Sequence, residues 1–182
     1  MFTFVTGGLR SGKSEYGLRR ASELGPPPWL YVAPHIEGDD ELKARLARHR
    51  RDQEAAWKLV EAPAKLATML QPETLAGHGA VVLDRFTIWL SNRLTASEAT
   101  ADYDLVAEVE ALSDKLYRST TPIVVVTTEI GLGFLPASVP DRRLINIAGI
   151  ANQILAERAQ SVVMMVSGTA PRPVSAGAAA RR

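Results

Sequence analysis

The segment Gly7-Gly8-Leu9-Arg10-Ser11-Gly12-Lys13-Ser14 constrains this chain more than any other stretch. Its spacing, G-x-x-x-x-G-K-S, is that of a loop that cradles phosphate. Gly7 and Gly12 can take backbone angles closed to other residues, so successive N–H groups can point inward at an anion. A helix opening near Lys13 adds its positive end at the same point. The Lys13 ammonium reaches β and γ phosphates, and the Ser14 hydroxyl can ligate Mg²⁺. Gly7, Gly8, Leu9, Arg10, Ser11, Gly12, Lys13 and Ser14 are therefore all assigned to nucleotide binding, with Lys13 also catalytic. The motif has meaning only between a buried strand and a helix. Phe2-Thr3-Phe4-Val5-Thr6 before it is short, β-branched and aromatic. Lys13 to Leu24 after it lacks proline and carries Tyr16, Leu18, Ala21 and Leu24, a loosely amphipathic helix.

At 182 residues the chain fits one domain, expected over 1–168, with a tail over 169–182 whose Ala, Pro and Arg content predicts disorder. A net charge of +1 gives no reason to expect a nucleic-acid partner. The absence of cysteine excludes disulfides and thiolate metal sites and suits a reducing cytosol. No apolar run approaches the ~20 residues needed to span a bilayer. With a strand starting at once and no room for a signal peptide, the expectation is a cytoplasmic protein.

Further strands follow. Gly25-Pro26-Pro27-Pro28 breaks the first helix and leads into a buried strand, Trp29 to Ala33. Ligands of open parallel sheets sit beyond the strands' carboxyl ends, so Ala33, Pro34 and His35 are placed to touch a nucleotide. A histidine in such a loop is more often simply solvated. A helix capped by Asp39 or Asp40 is expected to run to about Ala56, with Leu42, Leu46 and His49 on one stripe. His49 then reads either as a residue packed at the rim of the core among solvated arginines, or as a nucleophile or acid–base group. In the second case Arg50 and Arg51 would neutralise its phosphate partner. The pattern alone leans to the first.

Trp57 to Glu61 closes this unit, and Ala62-Pro63 is expected to start a helix reaching Leu70. Ala80 to Leu83 is an apolar strand ended by Asp84, where a carboxylate holds Mg²⁺ in nucleotide-binding loops of this kind. Helices are expected from Thr87 and from the cap Asp102, the latter with Leu105, Val109, Leu112 and Leu116 inward. Pro122 to Thr128 reads as a buried strand with Glu129 at its end, and the turn-rich stretch to Pro136 reads either as a lid without chemistry or as a substrate loop beside the expected ligand crevice. A helix over Arg142 to Ala159 and a buried strand, Val162 to Val166, complete the pattern. Strands alternating with helices predict an α/β, three-layer P-loop NTPase fold with a mainly parallel central sheet, RecA-like.

The ordered set of segments resembles the bifunctional adenosylcobinamide kinase / adenosylcobinamide-phosphate guanylyltransferase family of cobalamin biosynthesis. The residues that carry it are Thr6 to Ser14, Tyr31 to Ala33, Asp40 to Leu42, Arg45-Leu46, His49-Arg50, Trp57, Glu61, Pro63, Asp84, Thr87 and Trp89 to Asn92. Glu129 to Gly133, Pro136, Arg142, Gly149 and Asn152-Gln153 extend it to about Gly168. The resemblance implies phosphorylation of adenosylcobinamide by GTP or ATP, then GMP transfer from GTP to the new phosphate. It implies that His49 carries GMP covalently and that Glu61 and Asp84 contact the nucleotide. Mg²⁺ on Ser14 and Asp84, and a homotrimer sharing its active sites, belong to the same expectation.

The chain departs from the family pattern at Pro34, Leu59 and Thr128, at Leu144-Ile145-Asn146 where Phe-Arg-Asp is usual, and from Thr169 onward. Two other readings compete. One is a P-loop kinase for a small hydroxylated substrate, in which His49 stays unmodified. The other is a GTP-binding regulatory subunit, disfavoured because Lys13, Ser14, Asp84 and His49 are all present.

Overall fold

The computed structural model describes residues 1–34, 56–96, 101–133 and 136–170. Six strands form one sheet, β1 Phe2–Gly7, β2 Trp29–Ala33, β3 Trp57–Glu61, β4 Ala80–Leu83, β5 Ile123–Val126 and β6 Ser161–Met165. They lie in the order β3-β2-β4-β5-β1-β6, and every pairing is parallel. The described helices are α1 Lys13–Leu24, α2 Pro72–Leu75, α3 Phe86–Ala96, α4 Asp102–Arg118 and α5 Val139–Arg158.

Alternation along each strand sorts the core into two layers, because successive side chains leave a sheet on opposite faces. Val5, Trp29, Tyr31, Ala33, Val82, Val124 and Val126 face α1, where Leu18 and Ala21 meet them. Phe2, Phe4, Leu30, Val32, Val81, Leu83, Ile123 and Val125 face the other helices. There they pack with Trp89 and Leu90 of α3, Leu105, Val109, Leu112 and Leu116 of α4, and Ile147, Ala151 and Leu155 of α5. Both faces of the four inner strands are thus covered, as continuous apolar runs such as Ile123–Val126 require.

Trp57–Glu61, for which the sequence reading named no element, is a strand at the sheet's edge, with Lys58, Leu59 and Glu61 exposed. Other expectations are corrected. The helix expected over Ala62 to Leu70 is only a 3₁₀ turn, Leu66–Leu70. β6 is the opposite edge: Val163 and Met165 are buried while Met164 and Val166 are exposed. Asp102 does not cap α4. It is the first helical residue after Ala101, and its carboxylate pairs with Arg143 of α5 at 2.6 Å. Helix α5 also begins earlier than expected, at Val139, because Ser138 Oγ accepts from the Asp141 amide at 3.3 Å and caps it. The expected tail opens with a turn, in which the Val166 and Thr169 backbones exchange hydrogen bonds.

A phosphate loop and its polar surround

The loop between β1 and α1 closes by backbone geometry. Gly7 has φ +152° and Gly12 φ +86°, and a Cβ on Gly7 would stand 2.4 Å from the Met165 carbonyl oxygen. Arg10 takes φ +55°, a left-handed conformation that a non-glycine residue holds only when its surroundings dictate it. The Ser11 amide donates to Gly8 O, and the Gly168 amide donates to Ser11 O at 3.0 Å. The loop is therefore braced by the segment that follows β6. Ser11 Oγ is buried with no hydrogen-bond partner among the described residues, which suits a donor reserved for a phosphate oxygen. Lys13 is 8% exposed, and its ammonium donates to Gly8 O at 3.0 Å, folded over the loop. Gly17, one turn into α1, lets the helix sit so close that an added Cβ would be 2.7 Å from Val126 Cγ2.

Asp84 follows β4 at the same edge of the sheet and is buried. Tyr31 Oη donates to its Oδ2 at 2.5 Å, and the Arg85 amide donates to its Oδ1 at 2.7 Å. Arg85 holds φ +60° to make that contact. Both carboxylate oxygens are oriented. With the Ser14 hydroxyl this is a set of hard oxygen donors, the kind that suits Mg²⁺. Ala33 and Glu61 are register partners at the ends of β2 and β3, with the Ala62 amide bonded to Ala33 O at 2.8 Å.

A third group sits where β5 ends beside β1. The Glu129 amide donates to Gly7 O at 3.0 Å, so this residue is tied to the first glycine of the loop. Asn152 Nδ2 of α5 donates to Glu129 Oε2 at 3.0 Å, and Thr6 Oγ1 approaches the same oxygen at 3.5 Å. Asn152 Oδ1 in turn accepts from Thr127 Oγ1 at 3.2 Å, and Thr127 shares a 2.8 Å hydrogen bond with Thr87. The Thr128 amide donates to Thr87 Oγ1 at 3.0 Å. Thr127 gives its single hydroxyl proton to Asn152, and the Thr87 hydroxyl lies within reach of two acceptors, Thr127 Oγ1 and the Thr128 carbonyl at 3.1 Å. The row ends on the Glu129 carboxylate.

A family model described as cobinamide kinase / cobinamide phosphate guanyltransferase matches residues 3–172. The chain belongs to that family. Bifunctional adenosylcobalamin biosynthesis protein CobP of Pseudomonas aeruginosa is 36% identical over 174 residues, 96% of this chain and 97% of that protein. CobU of Salmonella typhimurium is 33% identical over 178 residues, covering 92% and 97%. The fold is that of P-loop ATPases. A KaiC-like protein from Pyrococcus horikoshii superposes with TM-score 0.51 at 12% identity, over 90% of this chain and 69% of that one. A type III secretion ATPase gives 0.58 at 14% identity, over 96% and 56%. The chain is thus a transferase of the cobinamide kinase/guanyltransferase family, built on a nucleotide-binding fold.

Of the residues singled out from the sequence, Gly7 to Ser14, Ala33, Pro34, Glu61 and Asp84 lie on the one edge of the sheet formed by the carboxyl ends of its parallel strands, with Glu61 on the edge strand β3, four strands from β1. His35, His49, Arg50 and Arg51, with the helix expected from Asp39 or Asp40, lie outside the described residues. The family resemblance included Thr87, Glu129 and Asn152 without giving them roles, and neither Thr127 nor Tyr31 was assigned one. Tyr31 had a sequence signal: a phenol in an otherwise apolar buried strand needs an acceptor. The departures Ile145 and Asn146 line a groove of about 820 Å³ between α4 and α5, with Asp102, Tyr103 and Gly131 among the other walls. Thr128, another of the departures, contributes only backbone groups to the Thr87 contact. Among the described residues no helix is long and apolar enough to cross a membrane.

Proposed function

We propose that the chain performs both reactions of its family: phosphorylation of adenosylcobinamide by a nucleoside triphosphate, then GMP transfer from GTP to the resulting phosphate. The observation that supports this best is one sheet edge carrying the phosphate loop, the buried Lys13 and the oriented Asp84. Loop amides and Lys13 stabilise charge on the departing phosphates. Ser14 and Asp84 are the oxygen donors for Mg²⁺, which when bound neutralises phosphate charge. Ala33, Pro34, His35, Glu61, Arg50 and Arg51 contact the nucleotide in this reading.

His49 is the nucleophile of the second reaction. Its neutral imidazole attacks the α phosphorus, pyrophosphate leaves, and the phosphoramidate is then open to attack by the cobinamide phosphate. The reading includes a cytoplasmic homotrimer whose neighbouring subunits complete each site.

Intact-protein mass after incubation with GTP and Mg²⁺ tests it, beside a His49→Ala control. The expected result is a GMP-sized gain that is acid-labile and absent from the control. GTP binding without a mass gain would sink the guanylyltransferase half and leave a kinase. Sedimentation of the purified protein tests the trimer separately.

A further inference from the structure

We propose that Glu129 is the general base of the kinase half-reaction, taking the proton from the acceptor hydroxyl as it attacks the γ phosphorus. The inference rests on the functional reading above, and it assigns a role to a residue that reading leaves idle.

The two half-reactions differ in one proton. The kinase acceptor is a neutral alcohol: its O–H bond must break as the new O–P bond forms and the γ-phosphorus–oxygen bond to the diphosphate breaks. The guanylyl acceptor is already an ionised phosphate, and the neutral imidazole of His49 has a free lone pair. Only the first reaction needs a base.

Among the described residues, Glu61, Asp84 and Glu129 lie at or just beyond strand ends on the loop's edge of the sheet. Strands are spaced ~4.8 Å apart, so Glu61 on β3, four strands from β1, starts roughly 19 Å away. Asp84, on the second strand from β1, has both oxygens engaged, by Tyr31 and by the Arg85 amide. Glu129 lies three residues past the end of β5, Ile123–Val126, the immediate neighbour of β1, and its amide is bonded to the loop's first glycine.

Its carboxylate is also held as a base should be. Asn152 and Thr6 address Oε2 alone, and among the described residues nothing donates to Oε1. A Cβ on the exposed Gly131 would be 3.8 Å from Oε1. One oxygen is anchored; the other faces Gly131, whose lack of a side chain leaves room for a bulky alcohol to approach. The proton taken on Oε1 passes to water once the phosphorylated product leaves.

Glu129→Gln keeps the shape and an oxygen that accepts from Asn152, and it removes only the basicity. In assays on wild type and E129Q, phosphorylation of adenosylcobinamide is expected to fall about 100-fold or more in kcat. GMP labelling from GTP, and GMP transfer to supplied adenosylcobinamide phosphate, should stay within about threefold of wild type, since neither needs a base. Equal losses in both half-reactions, or an undiminished kinase, would overturn the proposal while leaving the family function standing. A wild-type protein with neither activity would overturn both. Should E129Q fail to fold, Glu129→Asp, which keeps the carboxylate but withdraws it, must show the same split in milder form.

Discussion

The Tyr31 hydroxyl donates to Asp84 Oδ2 across 2.5 Å, joining β2 to the end of β4 inside the layer that faces α1. A hydrogen bond to a buried charged group contributes about 1.5–3 kcal/mol, and it also aims the carboxylate. Tyr31→Phe keeps the ring and its edge contact with Trp57. The variant should lose about 2 kcal/mol in urea denaturation. Its turnover should also require about 10-fold more Mg²⁺ for half-saturation, as when a partner behind a metal ligand is removed. Unchanged Mg²⁺ dependence would show that Asp84 needs no support from behind.

Gly17 is the place where α1 touches β5. Gly17→Ala puts a methyl 2.7 Å from Val126 Cγ2, and neither the helix nor the buried strand can yield freely. The better helix propensity of alanine is worth only about 1 kcal/mol, less than the ~1–3 kcal/mol of overpacking. A net loss of stability is therefore expected, as a lower urea midpoint with unchanged slope. A stabilised variant would mean that α1 can slide on the sheet.

Asn152 joins a donor, Thr127 Oγ1, to an acceptor, Glu129 Oε2. Asn152→Asp keeps its shape but sets a second carboxylate about 3.0 Å from Glu129 Oε2. Asn152→Ala removes both the donor to Glu129 and the acceptor of Thr127 without adding a charge. The aspartate should therefore cost more stability than the alanine, the reverse of what lost volume alone predicts. Thermal melts of the two variants at neutral pH decide it.

Gly7→Ala directs a methyl at the Met165 carbonyl from 2.4 Å, at a φ unsuited to alanine. Strain of this kind costs about 1–3 kcal/mol and falls on the phosphate loop. A rise in nucleotide Kd of roughly 30-fold, measured with a fluorescent GTP analogue, corresponds to about 2 kcal/mol.

Where one rule decided the local structure, the sequence was easy to read. Phosphate-loop glycines before an unbroken Lys13–Leu24 helix, and the β-branched run Ile123–Val126, admit few alternatives. Trp57–Glu61 was harder because Lys58, Leu59 and Glu61 face outward at an edge, so no clean alternation or apolar run marks a strand. Ala62 to Leu70 has helix-forming residues, yet Leu66 and Leu70 bury themselves with a 3₁₀ turn that propensity does not predict. At the site, the motif residues were legible one by one. The row from Thr87 through Thr127 and Asn152 to Glu129 was not, because its members lie up to 65 positions apart and only the packing of α3 and α5 brings them together.

The strand that carries the phosphate loop has both its neighbours far downstream: Thr3 pairs with Ile123's neighbour Val124 on one side and with Ser161 on the other. The loop itself is braced from Gly168. A ribosome therefore delivers the nucleotide motif first and its supports last. Until β5 emerges, β1 is an unpaired apolar strand, a period of exposure during which chaperone capture competes with folding. GTP can protect the finished chain by mass action, but it offers no such help to a nascent one.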